Sequence, residues 1–133
     1  MKRMKGENMK QIKFYRCRNC GNVVIKMVDS KVPVVCCGEP MDEIRPNKTD
    51  AAQEKHVPVV ERNENILEVT VGEVLHPMTK EHLITNIVLL TDLGYYVRVL
   101  KAGDEPKAKF NLLEGENPIE VFAYCNLHSM WAK

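Results

Sequence analysis

The sequence predicts an all-β chain in which a small cysteine-rich domain precedes an antiparallel β-sandwich. Four of the five cysteines lie between Cys17 and Cys37. After residue 56, short apolar stretches alternate with turn residues and show no sustained helical period, which is typical of strands in a sandwich. A length of 133 residues fits one domain or two small ones. We therefore expect a domain at residues 10–45, a linker at 46–55 and the sandwich at 56–133.

The bulk properties argue against nucleic-acid and membrane partners. The 19 basic and 18 acidic residues give a net charge of +1, so no large charged surface is expected. Apolar runs such as residues 87–90 are far shorter than the roughly 18 residues that cross a bilayer. Residues 1–9 are basic, but no apolar stretch follows them, so we interpret them as a disordered extension. A cytoplasmic location follows, where reduced cysteines favour metal binding over disulfides.

The first four cysteines form two pairs, each followed by a glycine: Cys17, Cys20, Cys36 and Cys37. A CxxC pair followed by glycine makes a knuckle that aims both sulfurs at one point. A domain this short cannot bury enough surface to fold alone, so it needs a metal, a disulfide or a partner. Zinc is the common occupant of four thiolates, and iron is the alternative. Because Cys36 and Cys37 are adjacent, we expect a distorted site, which favours a redox iron.

The strand predictions follow from β-branched runs and from turn residues. Strands are predicted at residues 11–15 and 23–29 in the small domain, and at 56–61, 67–74, 83–91, 95–101 and 119–124 in the sandwich. Pro58 indicates an edge strand or a strand start, since proline cannot donate to a ladder. The polar linker is predicted to contain one helical turn capped near Thr49 or Asp50.

The four histidines all fall at predicted strand edges: His56, His76, His82 and His128. The fifth cysteine, Cys125, lies three residues before the last of them. A lone histidine is usually a surface residue, but loops at one end of a sandwich can bring these five side chains together. Structural zinc closes at four ligands. Iron accepts imidazole and thiolate donors and tolerates an open sixth position.

A second interpretation of the C-terminal segment is a copper site. Cys125, His128 and Met130 resemble the cysteine, histidine and methionine loop of blue-copper carriers at the end of a β-sandwich. The spacing from His128 to Met130 is shorter than that loop normally has, and two histidines would have no role. We predict instead that Met130 and Trp131 pack in the core.

The sequence resembles the desulfoferrodoxin family, the two-iron form of superoxide reductase, from about Lys10 onward. The motifs that carry the resemblance are Tyr15-x-Cys17-x-x-Cys20-Gly21-Asn22, Cys36-Cys37-Gly38-Glu39-Pro40-Met41, Glu54-Lys55-His56-Val57-Pro58-Val59, Gly72-Glu73-Val74-x-His76-Pro77-Met78, His82, and Tyr124-Cys125-Asn126-Leu127-His128. The resemblance implies a rubredoxin-like small domain and an immunoglobulin-like antiparallel sandwich. It implies two iron ions per chain. One is held by Cys17, Cys20, Cys36 and Cys37, and the other by four equatorial histidines with Cys125 axial.

The resemblance also implies an activity, which is the one-electron, inner-sphere reduction of superoxide to hydrogen peroxide at the ferrous histidine site. Lys55 is expected to attract the superoxide anion and to order a proton-donating water. Glu54 is expected to occupy the sixth position once the iron is ferric. Rubredoxin or a similar protein is the implied electron donor, and the implied assembly is a homodimer. The expected role is detoxification of superoxide under oxidative stress.

Two other functions fit the same residues. A non-enzymatic electron-transfer protein could hold both metal centres without a substrate, although such a carrier has no use for an open coordination position. A zinc-bound interaction module would be colourless and redox-silent. For the four-cysteine iron, the sequence leaves open whether it relays electrons or only stabilises the small domain.

Overall fold

The computed structural model describes residues 11–47 and 56–133, which form twelve β-strands and contain no helix. The predicted all-β class is therefore confirmed. The chain divides into two compact units, one comprising Gln11–Arg45 and the other containing Pro46–Lys133. The predicted extension at residues 1–9, and the linker with its helical turn apart from residues 46 and 47, lie outside the described residues. No helix that could cross a membrane occurs in the described part of the chain.

The small unit is built from short strands. Strand β1 (Phe14–Arg16) pairs antiparallel with β2 (Val23–Ile25) on one side and with β5 (Asp42–Ile44) on the other, and β3 (Val35–Cys36) pairs with β4 (Glu39–Pro40). Across residues 11–45, only Phe14 and Cys17 are buried. So little buried apolar surface stabilises a fold weakly, as expected for a domain that needs a metal, a disulfide or a partner.

The second predicted strand of the small unit ends earlier than expected. The prediction covered residues 23–29, whereas β2 stops at Ile25. The Lys26 ammonium donates to Asp29 Oδ1 at 3.1 Å and to the carbonyl of Val32 at 2.9 Å, so the chain folds back on itself there. The carbonyl of Val32 therefore has a side-chain donor in place of a partner in a sheet.

The larger unit is a sandwich of two antiparallel sheets. One sheet has the order β10-β7-β6 and the other has the order β12-β11-β8-β9. The strands are β6 (Pro58–Asn63), β7 (Ile66–Val71), β8 (Ile84–Thr91), β9 (Gly94–Val99), β10 (Lys107–Asn111), β11 (Pro118–Cys125) and β12 (Ser129–Ala132). Strand β6 begins at Pro58 and forms a sheet edge, as its proline indicated.

The core lies between the two sheets and follows the period-two alternation of their strands. Leu67, Val69 and Val71 of β7 meet residues such as Ile87 and Leu89 of β8, and all five are at most 2% exposed. Burial of each such side chain stabilises the fold by about 1.5–3 kcal/mol. The core therefore fixes the register of both sheets, and with it the positions of the loops at their ends.

Strands β10 and β12 were not predicted. Strand β10 does alternate, since Ala108 and Phe110 are buried while Lys107 and Lys109 are exposed. Its five residues contain only two apolar side chains, which is too weak a signal to separate a strand from a loop.

A buried carboxylate fixes the end of the sandwich where β8 turns into β9. Glu116 is 3% exposed, and its two oxygens accept hydrogen bonds from the hydroxyls of Thr91 and Tyr96, both at 2.6 Å. The backbone N–H of Leu113 donates a third bond at 3.0 Å. Burial by itself raises the pKa of Glu116, but the three hydrogen bonds outweigh it and hold the pKa below its ordinary value. The loop before β11 is thus tied to the β8–β9 turn by an ionised side chain.

Candidate metal centres

The opposite end of the sandwich collects the predicted histidine and cysteine ligands. In one sheet, Pro58 at the start of β6 pairs with Val71 at the end of β7. In the other, Ile84 at the start of β8 pairs with Cys125 at the end of β11. The antiparallel registers therefore bring together the loops that carry four histidines and one cysteine. The five residues are His56, His76, His82, Cys125 and His128, and one donor atom from each lies within 4.8 Å of all the others.

The four imidazoles form a closed ring. Successive ring centroids are 4.9 Å apart for His56 and His76, 4.7 Å for His76 and His82, 5.0 Å for His82 and His128, and 4.8 Å for His128 and His56. The interplanar angles of these pairs run from 67° to 81°. This near-square arrangement of side chains from both sheets is what four ligands in one coordination plane require.

The donor distances fit a metal ion in this ring. His56 Nε2 lies 3.0 Å from His128 Nδ1. Two ligands in neighbouring positions of an octahedral shell, each about 2.1 Å from the ion, are about 3.0 Å apart. His128 therefore offers Nδ1 and His56 offers Nε2.

His76 is held in a state that can bind a metal. Its Nδ1 lies 2.7 Å from the carbonyl of Pro77, so Nδ1 carries the proton and donates it to that oxygen. The buried Nε2 has no hydrogen-bond partner and keeps its lone pair. Burial is the main cause that lowers the pKa of His76 to about 4, and the neighbouring histidines contribute in the same direction. The hydrogen bond to Pro77 acts in the opposite direction but is outweighed. At neutral pH this imidazole is uncharged, and the lone pair of its Nε2 accepts no hydrogen bond, so it is available to a cation.

Cys125 closes the site on its inner side. The side chain is 0% exposed, and its Sγ lies 3.7 Å from His128 Nδ1. Burial raises the pKa of this thiol, while the backbone N–H groups of Leu127 and His128 partly oppose the effect. Because a metal ligand must be a thiolate, binding of a cation releases this proton.

Hydrogen bonds between loops hold the ligands in place. Asn126 joins the loop before β8 to the turn after β11, since its Oδ1 accepts from the N–H of Leu83 at 3.0 Å and its Nδ2 donates to the carbonyl of Glu81 at 2.9 Å. Thr79 fixes His82, whose backbone N–H donates to Thr79 Oγ1 at 3.0 Å. Thr79 carries no signal of this role in the sequence, and Asn126 stands there only as part of a motif.

The four-cysteine site of the small unit is equally compact. The sulfurs of Cys17, Cys20, Cys36 and Cys37 lie within 4.8 Å of one another, and those of Cys20 and Cys36 are 3.6 Å apart. Sulfurs at about 2.3 Å from a tetrahedral ion are about 3.8 Å apart. Every donor is a soft thiol sulfur, the ligand that zinc and iron centres share.

The adjacent cysteines reach one centre through an unusual backbone. Cys37 has a φ of 54° and is followed by Gly38 with a φ of 76°. The left-handed conformation of Cys37 redirects its side chain towards that of Cys36, at a conformational cost of roughly 1–2 kcal/mol. We expected a distorted site because Cys36 and Cys37 are adjacent. In the structure this adjacency is accommodated by a strained, left-handed backbone at Cys37.

The thiols of the small unit do not ionise alike. The N–H of Cys20 points at Cys17 Sγ at 3.5 Å and, with further hydrogen bonds, lowers the pKa of Cys17 to about 6. The side chains of Cys17, Cys20 and Cys36 together raise the pKa of Cys37 to about 12. Cys17 is thus the thiol that ionises most readily, whereas Cys37 holds its proton, and a bound cation has to displace it.

The copper interpretation is wrong. In the ladder between β11 and β12, Met130 pairs with Tyr124 and Ser129 pairs with Cys125. Successive side chains alternate between faces, so Met130 lies on the opposite face of the sheet from Cys125. Met130 is 2% exposed, in keeping with the predicted core role. Trp131 differs from that prediction, because it is half-buried and its ring stacks on His56.

The two predicted non-ligand site residues, Glu54 and Lys55, lie outside the described residues. The nine predicted ligands are all described, and they form the two clusters that the sequence assigned to them. Each cluster has the donor types and spacing of a metal site.

Comparison with known proteins gives consistent results. The family model described as Desulfoferrodoxin matches residues 48–133. The chain is 42% identical over 122 residues to the desulfoferrodoxin of Syntrophotalea carbinolica, covering 92% of this chain and 95% of that protein. It is also 42% identical over 121 residues to the desulfoferrodoxin of Nitratidesulfovibrio vulgaris, covering 91% and 94%.

Solved structures agree with the sequence relatives. The fold matches the crystal structure of the superoxide reductase from Treponema pallidum with a TM-score of 0.81 and 28% identity, over 92% of this chain and 98% of that one. A superoxide reductase (1Fe-SOR) from Giardia intestinalis matches with a TM-score of 0.51 and 29% identity, over 61% of this chain and 96% of that one.

Proposed function

This chain belongs to the desulfoferrodoxin family, and we propose that it is a superoxide reductase, an oxidoreductase that converts superoxide into hydrogen peroxide. The observation that carries the proposal is the ring of four imidazoles with a buried thiol beneath it. The likeness to the superoxide reductase of Treponema pallidum over 92% of the chain supports it.

The proposed reaction is a one-electron reduction. Superoxide takes up one electron and two protons and becomes hydrogen peroxide, and no dioxygen is released. His56, His76, His82, His128 and Cys125 would hold a ferrous ion, and that ion would supply the electron by oxidation to the ferric state. Five protein donors leave one position of an octahedral shell for a small molecule, which a pure electron carrier does not need.

The burial of the ligands supports an approach from one side. Cys125 is fully buried below the ring, whereas His128 is exposed. A small anion from solvent therefore meets the imidazole face, and the thiolate lies on the core side. A Cys125 thiolate would donate electron density to a bound iron, as the thiolate does in thiolate-ligated haem enzymes.

Two residues next to His56 in the sequence are proposed to assist. Lys55 would attract the superoxide anion electrostatically and order a proton-donating water, since a cation beside the site raises the local concentration of an anionic substrate. Glu54 would take the open position after peroxide leaves. Both roles rest on the sequence motif, because residues 48–55 lie outside the described part.

We propose that the four-cysteine site also holds iron and passes electrons from a rubredoxin-like donor to the histidine site. The left-handed backbone at Cys37 and the single low-pKa thiol at Cys17 support a site arranged for a metal. A homodimer and a cytoplasmic location complete the proposal. The five free cysteines fit a reducing compartment.

The deciding experiment is an anaerobic single turnover. Protein loaded with ferrous iron is mixed with a pulse of superoxide, and the ferric thiolate absorption, hydrogen peroxide and dioxygen are followed together. We expect about one peroxide per superoxide consumed, appearance of the ferric band and no dioxygen. Metal analysis of the loaded protein should give two irons per chain.

Zinc-loaded protein is the matched control, because it keeps both sites filled with an ion that has no redox chemistry. It should consume no superoxide beyond the spontaneous rate. Release of one dioxygen for every two superoxide ions would show dismutation, and the reductase proposal would then be abandoned. A ferric site that forms without peroxide would favour the electron-carrier alternative.

A further inference from the structure

Trp131 contacts two of the four histidines of the ring. Its indole stacks on His56, with ring centroids 4.6 Å apart and an interplanar angle of 19°. The indole Nε1–H also donates to the backbone carbonyl of His128 at 2.9 Å. His56 Nε2 and His128 Nδ1, the two donor atoms, are 3.0 Å apart. One side chain thus fixes both partners of this pair.

Trp131 is itself held on both sides. Its strand β12 pairs with β11, where Ala123 is the partner of Trp131. On the other edge Asn47 forms a parallel bridge with Trp131, and the N–H of Ala132 donates to the Asn47 carbonyl at 2.8 Å. A side chain on a backbone paired at both edges is a rigid support.

The other two histidines are oriented by different contacts. The ring of His76 is fixed by its hydrogen bond to the Pro77 carbonyl, and the backbone of His82 is fixed by Thr79. His128 lies in the turn that ends at Ser129, which has a φ of 69°. The indole N–H is bonded to the carbonyl oxygen of His128 in that turn, so it holds the peptide group that joins His128 to Ser129.

We propose that Trp131 is a positioning residue that orders His56 and His128 for the metal before the ion arrives. The stack sets the plane of the His56 ring, and the N–H sets the turn that carries His128. Contacts of this kind behind metal ligands typically change metal affinity 10–100-fold. The inference rests on the metal site of the proposed function, but it requires only that the site bind a metal.

The test uses the full chain and Co²⁺. The visible spectrum of Co²⁺ bound by four thiolates differs from that of Co²⁺ bound by imidazoles and one thiolate, so the two sites can be followed separately. W131F keeps an aromatic ring against His56 but has no N–H, and W131L has neither. Y95L is the matched control, because Tyr95 is an aromatic residue of β9 in the same unit. In the unaltered protein, quenching of Trp131, the single tryptophan, gives a second signal for binding next to His56.

We expect W131L to bind Co²⁺ at the histidine site about 10–100-fold more weakly, with a changed band pattern as His56 leaves the ion. W131F should show a smaller loss, and Y95L should bind like the unaltered protein. The four-cysteine site should be unaffected in all variants. If W131F and any folded W131L bind with unaltered affinity and spectrum while their thermal stability falls, Trp131 only packs the fold and the inference is wrong. If the unaltered protein binds no ion at the histidine site, the proposed function fails first.

Discussion

The buried carboxylate of Glu116 gives a prediction whose size follows from its contacts. Glu116→Gln keeps the shape of the side chain but removes the charge, while Glu116→Ala removes all three acceptor contacts. Hydrogen bonds to a charged group contribute about 1.5–3 kcal/mol each and neutral ones about 0.5–1.5. A neutral amide costs less to bury than a carboxylate, and this offsets part of the loss. We therefore expect Glu116→Gln to lower the free energy of unfolding by about 1–2 kcal/mol.

Glu116→Ala should lower the free energy of unfolding by more than Glu116→Gln does. It leaves two hydroxyls and one backbone N–H without their acceptor, and Thr91 is 0% exposed. At about 1–3 kcal/mol for each unsatisfied group, a total of roughly 4 kcal/mol is expected once water reaches the more open contacts. For a unit of this size, 1 kcal/mol shifts the melting temperature by about 4–8 °C.

The pH dependence has a definite sign. The pKa of Glu116 is lower in the folded state than in the unfolded chain, where it is about 4.3. The ionised Glu116 side chain therefore makes its full contribution to the free energy of unfolding above the pKa of the unfolded state. That contribution is lost as the pH falls through the pKa of the folded state. The stability difference between the unaltered protein and Glu116→Gln should be constant near pH 7 and shrink below about pH 4.

Trp131 fluorescence measures this transition in the sandwich alone, because the single tryptophan lies in β12. Denaturant unfolding at pH 7 and pH 3 gives the free energies. Glu114→Gln is the matched control, since Glu114 is exposed two residues away. Equal stability of Glu116→Gln and the unaltered protein at pH 7, or a difference that is as large at pH 3 as at pH 7, would refute the assignment of an ionised buried carboxylate.

Three further predictions concern the metal sites. Cys125→Ser should abolish the ferric thiolate absorption of the histidine site and weaken its iron, because a hard hydroxyl replaces a soft thiolate; an unchanged spectrum would exclude Cys125 as a ligand. Cys17→Ser should stop turnover driven by a reduced rubredoxin-like donor while a superoxide pulse still oxidises the histidine site; loss of both reactions would indicate a purely stabilising role. Lys55→Ala should slow superoxide capture and weaken its dependence on ionic strength with the iron still bound, and Lys80→Ala, at an exposed position near His82, is the control. An unchanged capture rate for Lys55→Ala would remove its steering role.

The sequence predicted elements wherever a strong period or a turn marked them. The alternation in β7 and the long apolar run of β8 placed the core, and Pro58 placed an edge. The ligands were predictable because their side-chain chemistry is rare and their places at strand ends imply convergence.

What the sequence could not predict depends on tertiary contacts. Nothing in the local pattern indicates that Glu116 is buried and accepts hydrogen bonds from two distant hydroxyls, those of Thr91 and Tyr96. Trp131 looks like any core aromatic residue until the turn at Ser129 places it against His56. Likewise, the adjacency of Cys36 and Cys37 posed a geometric problem whose solution, a left-handed Cys37, is visible only in three dimensions.

The histidine ring takes its members from both sheets, with His56 and His76 flanking β6 and β7, and His82 and His128 flanking β8 and β11. An ion held there is a crosslink between two layers that also meet through the apolar core and through a hydrogen bond from Arg98 of β9 to the carbonyl of Lys109 in β10. It joins residues 72 positions apart, so the full set of ligands is together only when both sheets are in place. Binding to the folded state alone raises the free energy of unfolding by RT ln(1 + [L]/Kd). Cells short of iron should therefore hold a protein that is both inactive and more easily unfolded and degraded, so that iron supply sets the lifetime of the chain as well as its activity.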